Sequence, residues 1–79
     1  MSRALIEYLA PWLVDHPEDV EITEVEGPRE GEVIVEISVH PDDMGKIIGR
    51  RGRIIQSIRS LTKAAAQRSG GTIGVEVVD

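Results

Sequence analysis

One glycine-framed corner governs what this chain can fold into. From Pro41 to Arg68 the sequence follows a helical pattern, broken only at Gly49-Arg50-Arg51-Gly52. Glycine allows a sharp turn and lets another backbone come very close, because no Cβ intervenes. The segment therefore predicts a short helix from Pro41 to about Ile48, a corner, and a longer helix from about Arg53 to Arg68. Pro41 suits a first helical turn, and Asp42 and Asp43 read as charge at the positive end of that helix's dipole. The longer helix places Ile54, Ile58, Leu61 and Ala65 on one stripe, with Ile54 and Ile58 expected in the core. Gly70-Gly71 ends it.

The rest of the chain supplies strands and one more helix. Residues 2–15 read as a helix in which Tyr8, Trp12, Leu5, Leu9, Leu13 and Ile6 fill an arc of roughly 160°. Core packing is the expected use of that arc; any part left exposed marks a protein–protein surface. Pro11 predicts a kink or break inside this helix, and His16-Pro17 ends it. Residues 19–26 read as a strand with Val20 and Ile22 on one face and Val25 out of step. Gly27-Pro28-Arg29-Glu30-Gly31 is a turn. Residues 32–39 alternate cleanly, with Val33, Val35, Ile37 and Val39 on one side, and complete a hairpin. Thr72 to Val78 is a last strand, with Ile73, Val75 and Val77 facing one way. The order is α-β-β-α-α-β, an α+β arrangement expected to form a single domain over residues 1–79.

Net charge is −5, which is unpromising for a nucleic-acid binder until its distribution is considered. Seven basic residues and no acid lie between Lys46 and Arg68, whereas the remainder holds two basic and fourteen acidic residues. Charges more than about 8–10 Å away are screened at physiological salt, so a polyanion responds to the local +7. There is no cysteine, which removes disulfides and thiolate metal sites. No apolar run approaches the roughly 18 residues of a membrane span, and the N-terminus does not resemble a signal peptide, so the expected location is the cytoplasm.

Other phosphate and catalytic motifs fail on spacing. Gly45-Lys46 is followed by Ile47, with no glycine five positions before Gly45, so a P-loop is excluded. Position 47 is Ile where a dinucleotide fingerprint needs glycine. His16 and His40 are far apart in sequence and each precedes a proline, which predicts two surface turn residues and no metal site. There is no Ser-His-Asp or Cys-His constellation, no cofactor motif, and no catalytic residue to nominate; the chain is not expected to be an enzyme.

The corner itself has suitable chemistry. It exposes backbone N–H groups at a helix start, where the dipole favours an anion, and Arg50 and Arg51 add charge-assisted donors suited to phosphate. Ile47, Ile48 and Ile55 are expected to form an apolar floor beside it or the core beneath it. Arg59 and Lys63 lie one turn apart next to the Ile55 edge. The candidate nucleic-acid-binding set is Lys46, Ile47, Ile48, Gly49, Arg50, Arg51, Gly52, Arg53, Ile55, Arg59 and Lys63. Only Tyr8 and Trp12 are aromatic, so base stacking at the corner is expected to be absent and sequence preference weak.

Ile47-Ile48-Gly49-Arg50-Arg51-Gly52-Arg53-Ile54-Ile55 resembles the signature of KH domains, whose loop clamps about four nucleotides. Two strands before the helix pair and one after resemble the bacterial type II version. That resemblance implies a three-stranded sheet with helices packed on one face. A KH domain this small, opening with an amphipathic helix and carrying Leu13-Val14-Asp15-His16-Pro17-Glu18-Asp19-Val20, is similar to the KhpA family. This implies a cytoplasmic protein that binds single-stranded RNA, a role as RNA chaperone, and pairing as a homodimer or as a heterodimer with a larger KH protein, KhpB. It also implies a link to cell-wall homeostasis and cell length. The competing expectation is a protein–protein assembly module with little RNA binding of its own.

Overall fold

The computed structural model describes residues 2–68 and 70–78. Helix α1 (Ser2–Leu13) leads through a 3-10 turn (Pro17–Asp19) into strand β1 (Glu21–Glu26) and strand β2 (Glu32–Ser38). A second 3-10 turn (Pro41–Asp43) opens helix α2 (Met44–Ile48). A third (Arg50–Gly52) joins α2 to helix α3 (Arg53–Arg68), and strand β3 (Thr72–Val78) closes the chain.

The sheet order is β1-β2-β3, with β1 antiparallel and β3 parallel to β2. The register sets Ile22 against Ile37, and Val33, Val35 and Ile37 against Ile73, Val75 and Val77. Paired residues share a face, and successive residues alternate faces, so these side chains line one side of the sheet. Val35, Ile37 and Val75 are buried there with Ile6 and Ala10 of α1, Ile47 of α2, and Ile55 and Ile58 of α3. The helices therefore cover one face, and the architecture is that of a type II KH domain.

Three details depart from the sequence expectations. First, of the kink or break expected at Pro11, the break does not occur: α1 runs on to Leu13. An interior proline costs about 3 kcal/mol, whereas each large buried apolar side chain returns about 1.5–3. Ile6 and Ala10 are buried on one side of the proline's turn, and Leu13 packs against the core beyond it. Second, the arc of α1 is only partly core. Tyr8 and Trp12 are 66% and 77% exposed, their rings 6.5 Å apart on the outer face. Third, the buried face of α3 is Ile55, Ile58, Thr62 and Ala66. Leu61, on the predicted stripe, is 53% exposed, and Ile54, expected in the core, is only partly buried. Thr62 is admitted to the core because its hydroxyl donates to the Ile58 carbonyl at 2.9 Å, which satisfies a polar group that periodicity counts against burial.

The end of α3 is a Schellman motif: Gly71 N–H donates to Ala66 O and Gly70 N–H to Gln67 O, both at 3.1 Å, with Gly70 at φ 77°. Arginines reach a carbonyl on each outer strand. Arg3 Nη2 donates to Ile22 O of β1 at 3.2 Å, and Arg59 Nε to Val75 O of β3 at 3.1 Å.

Candidate nucleic-acid interface

The corner forms because α2 cannot continue past Ile48. Gly49 turns to φ 79°, ψ 169°, a region only glycine occupies readily. Its N–H closes the helix on Gly45 O at 2.8 Å. A Cβ at this position would lie 2.6–2.8 Å from the Ile54 side chain and backbone nitrogen, so glycine also lets α2 and α3 meet closely. Gly52 has φ 72° with its nearest obstacle, Ile55 Cγ2, at 3.9 Å; conformation rather than space selects it. Between them Arg51 adopts the left-handed conformation, φ 59°, ψ 26°, at a cost of about 1–2 kcal/mol for a non-glycine residue.

The result is an exposed basic turn. Arg50, Arg51 and Arg53 are all exposed, and among the described residues no carboxylate pairs with them. The turn consumes part of the amide array expected at the start of α3. Gly52 N–H bonds Gly49 O at 3.1 Å, and Arg53 N–H bonds Arg50 O. The guanidinium groups thus carry more of any anion contact than the sequence suggested.

The structure sorts the remaining candidates. Ile47 and Ile55 are core residues, 0% and 5% exposed, because α2 and α3 turn them onto the sheet; neither forms a floor for bases. Ile48, 37% exposed, is the one of the three that offers surface. Lys46 belongs elsewhere. Its ammonium sits 3.0 Å from Asp15 Oδ2 and 3.7 Å from Asp43 Oδ1. The hydrogen bond and charge of Asp15 push its pKa up. Arg59 and Lys63 remain exposed and line an open concavity of about 430 Å³ against Ile73, Gly74 and Val75 of β3, with Glu32 and Glu76 also in its lining. One donor of Arg59 is already spent on Val75 O.

Sequence reading missed a second charged centre at the other end of α2. Asp43 is fully buried, and its oxygens accept the N–H groups of Asp15 at 3.2 Å and His16 at 2.9 Å. Burial pushes its carboxyl up, but those two amides, helped by the charges of His16 and Lys46, outweigh burial and hold it below the usual carboxylate range. It ties the α1–β1 connection to the base of α2, rather than merely complementing a dipole. Asp42 is exposed. The histidines also depart from expectation: His16 and His40 are half-buried, and their rings stack 4.0 Å apart. Nothing in the spacing gives this away, since it depends on how β2 returns beside the first loop.

An open G-x-x-G corner between two helices laid on an α-β-β-α-α-β frame defines a KH domain. The family model "KhpA/KhpB, KH domain" matches residues 3–77. The chain is 46% identical over 76 residues to "RNA-binding protein KhpA" of Clostridium perfringens, covering 96% of this chain and 99% of that one. It is 41% identical over 77 residues to the protein of the same name from Halalkalibacterium halodurans, covering 98% and 99%. Against that of Treponema pallidum it is 39% identical over 79 residues, covering 100% and 96%. No solved structure matches significantly. The chain belongs to the KhpA/KhpB KH-domain family, which is not a family of enzymes.

Proposed function

We propose that this chain is an RNA-binding protein that grips the backbone of single-stranded RNA with the Gly49–Gly52 corner. The carrying observation is the exposure of Arg50, Arg51 and Arg53 on a glycine-framed turn where, among the described residues, no carboxylate pairs with them. Ile48 supplies apolar surface beside them, and Arg59 and Lys63 extend the basic side along α3. Its relatives carry the name RNA-binding protein. With no aromatic residue at the corner, the grip is on phosphates and its base preference weak. This suits an RNA chaperone that handles many strands, working in the cytoplasm. By family, the further role is within a KhpA/KhpB-type pair that influences cell-wall homeostasis and cell length. Among the described residues, no helix is long and apolar enough to cross a membrane.

A second reading has its own observation. Tyr8 and Trp12 on α1 and Leu61 on α3 are large apolar side chains left in solvent, which favours a protein-docking surface and hence a homodimer or a heterodimer with a KhpB-like partner. One experiment weighs the two. Arg50→Asp with Arg51→Asp weakens single-stranded RNA binding at least tenfold while circular dichroism shows the fold intact. Wild-type binding falls with salt at a log–log slope of about −2 to −3, as for three or four neutralised phosphates. Unchanged affinity in the double variant and a flat salt response leave assembly as the function.

A further inference from the structure

His16 and His40 come from the two segments that Asp43 ties together. His16 precedes the turn Pro17–Asp19, and His40 precedes the turn Pro41–Asp43. One ring nitrogen of each and a carboxylate oxygen of Asp19 lie within 4.8 Å of one another, the one such gathering among the described residues. The backbone holds these side chains in place. Asp19 N–H bonds His16 O at 3.0 Å, and in so tight a turn residues i and i+3 stand on the same side. Each histidine is followed by proline, which narrows its backbone freedom, and the His16 amide is fixed on Asp43 Oδ2.

His16 Nδ1 lies 3.6 Å from Glu18 Oε1, and His40 Nδ1 lies 3.8 Å from Asp42 Oδ2. Metal-binding histidines characteristically donate their other N–H to a carboxylate, which fixes the tautomer and raises ligand basicity. Glu18 is therefore near enough to take a proton on His16 Nδ1 after a small shift, whereas His40 Nδ1 accepts the Asp42 N–H and must change partner before it can do the same; in that arrangement Nε2 of each ring is the ligand atom.

We infer that His16, His40 and Asp19 form a site for a divalent transition ion of the zinc class, bound through both Nε2 atoms and one Asp19 oxygen, with water in the remaining position. Two imidazoles and a carboxylate suit Zn²⁺, Ni²⁺ or Cu²⁺; Mg²⁺ and Ca²⁺ favour all-oxygen shells. Loading rearranges the pair. The rings stack 4.0 Å apart and 21° from parallel, so both turn for their nitrogens to converge on one ion. His40 Nδ1, which accepts the Asp42 N–H at 3.1 Å, takes up the ring proton and turns to the Asp42 carboxylate. The bound ion staples the α1–β1 connection to the base of α2, at the opposite end of that helix from the basic corner. It does not depend on RNA binding.

The test is calorimetric titration of the untagged chain with ZnCl₂, with MgCl₂ as the hard-ion control, alongside thermal melting. The expected result is one Zn²⁺ per chain, a melting temperature raised by Zn²⁺ and not by Mg²⁺, and binding at least tenfold weaker in His16→Gln and in Asp19→Asn. Asp19 is exposed, so its variant folds even if a histidine variant does not. Absence of Zn²⁺ binding to the wild type, or wild-type affinity in folded Asp19→Asn, overturns the site.

Discussion

Helix α2 is five residues long, and its two ends use the same charged groups in opposite ways. At the entry, Asp43 is 0% exposed, takes two amides and faces Lys46, which is also paired with Asp15. At the exit, Arg50, Arg51 and Arg53 stand in solvent on a turn that includes a left-handed arginine. A basic residue drawn to a buried carboxylate is spent on holding the fold; one raised on a glycine corner is left for a partner. Counting positive charges along the sequence gives both the same weight, and only the second kind is free to meet a phosphate.

That contrast can be broken from either end. The largest effect is expected for Asp43→Ala, which strands the Asp15 and His16 amides; its melting temperature falls further than that of Gly49→Ala, Arg51→Gly or Lys46→Ala. A melt close to wild type removes the entry from the structural side of the comparison. Gly49→Ala places a methyl against Ile54 in a conformation alanine resists, and denaturant unfolding is expected to show a loss of about 2–4 kcal/mol. A loss under half of that means the corner relaxes freely. Arg51→Gly separates stability from binding. It relieves the left-handed residue, stabilising the chain by roughly 1 kcal/mol, while flattening the salt slope of RNA binding by about 0.7. The smallest effect is expected for Lys46→Ala, which changes RNA affinity by less than about twofold, because a paired and screened charge reaches little further. A loss as large as that for Arg50→Ala puts Lys46 back in the interface.

Local chemistry made most of the frame legible. The period-two run from Val33 to Val39, Gly49 and Gly52, and Gly70-Gly71 each mark a boundary through a conformational demand that few residues meet, and the elements begin and end close to where those signals lie. Periodicity was weaker at choosing a face. On α3, Ile58 fits two stripes; the buried one continues through Thr62 and Ala66 rather than Leu61 and Ala65, and the Thr62 hydroxyl bonded to Ile58 O removes the penalty that periodicity assigns to a polar residue there. The exposure of Arg50, Arg51 and Arg53 was legible, because it follows from a local turn. The site was illegible at Lys46, Asp43, His16 and His40, whose surroundings are set by the return of β2 to the first loop, a contact between distant segments that no short window contains.

The two arginine clamps on the sheet have a consequence for how this molecule meets others. An outer strand is an invitation to any extended peptide, which can zip its own amides onto the unpaired carbonyls. Here the carbonyls of Ile22 and Val75 are already claimed by Arg3 and Arg59, and β1 carries Glu21, Glu24 and Glu26 along its length. Both flanks are thereby blunted against lateral growth into ribbons or fibrils, and a visitor is left with the faces of the molecule and the basic turn as its way in rather than the strand edges.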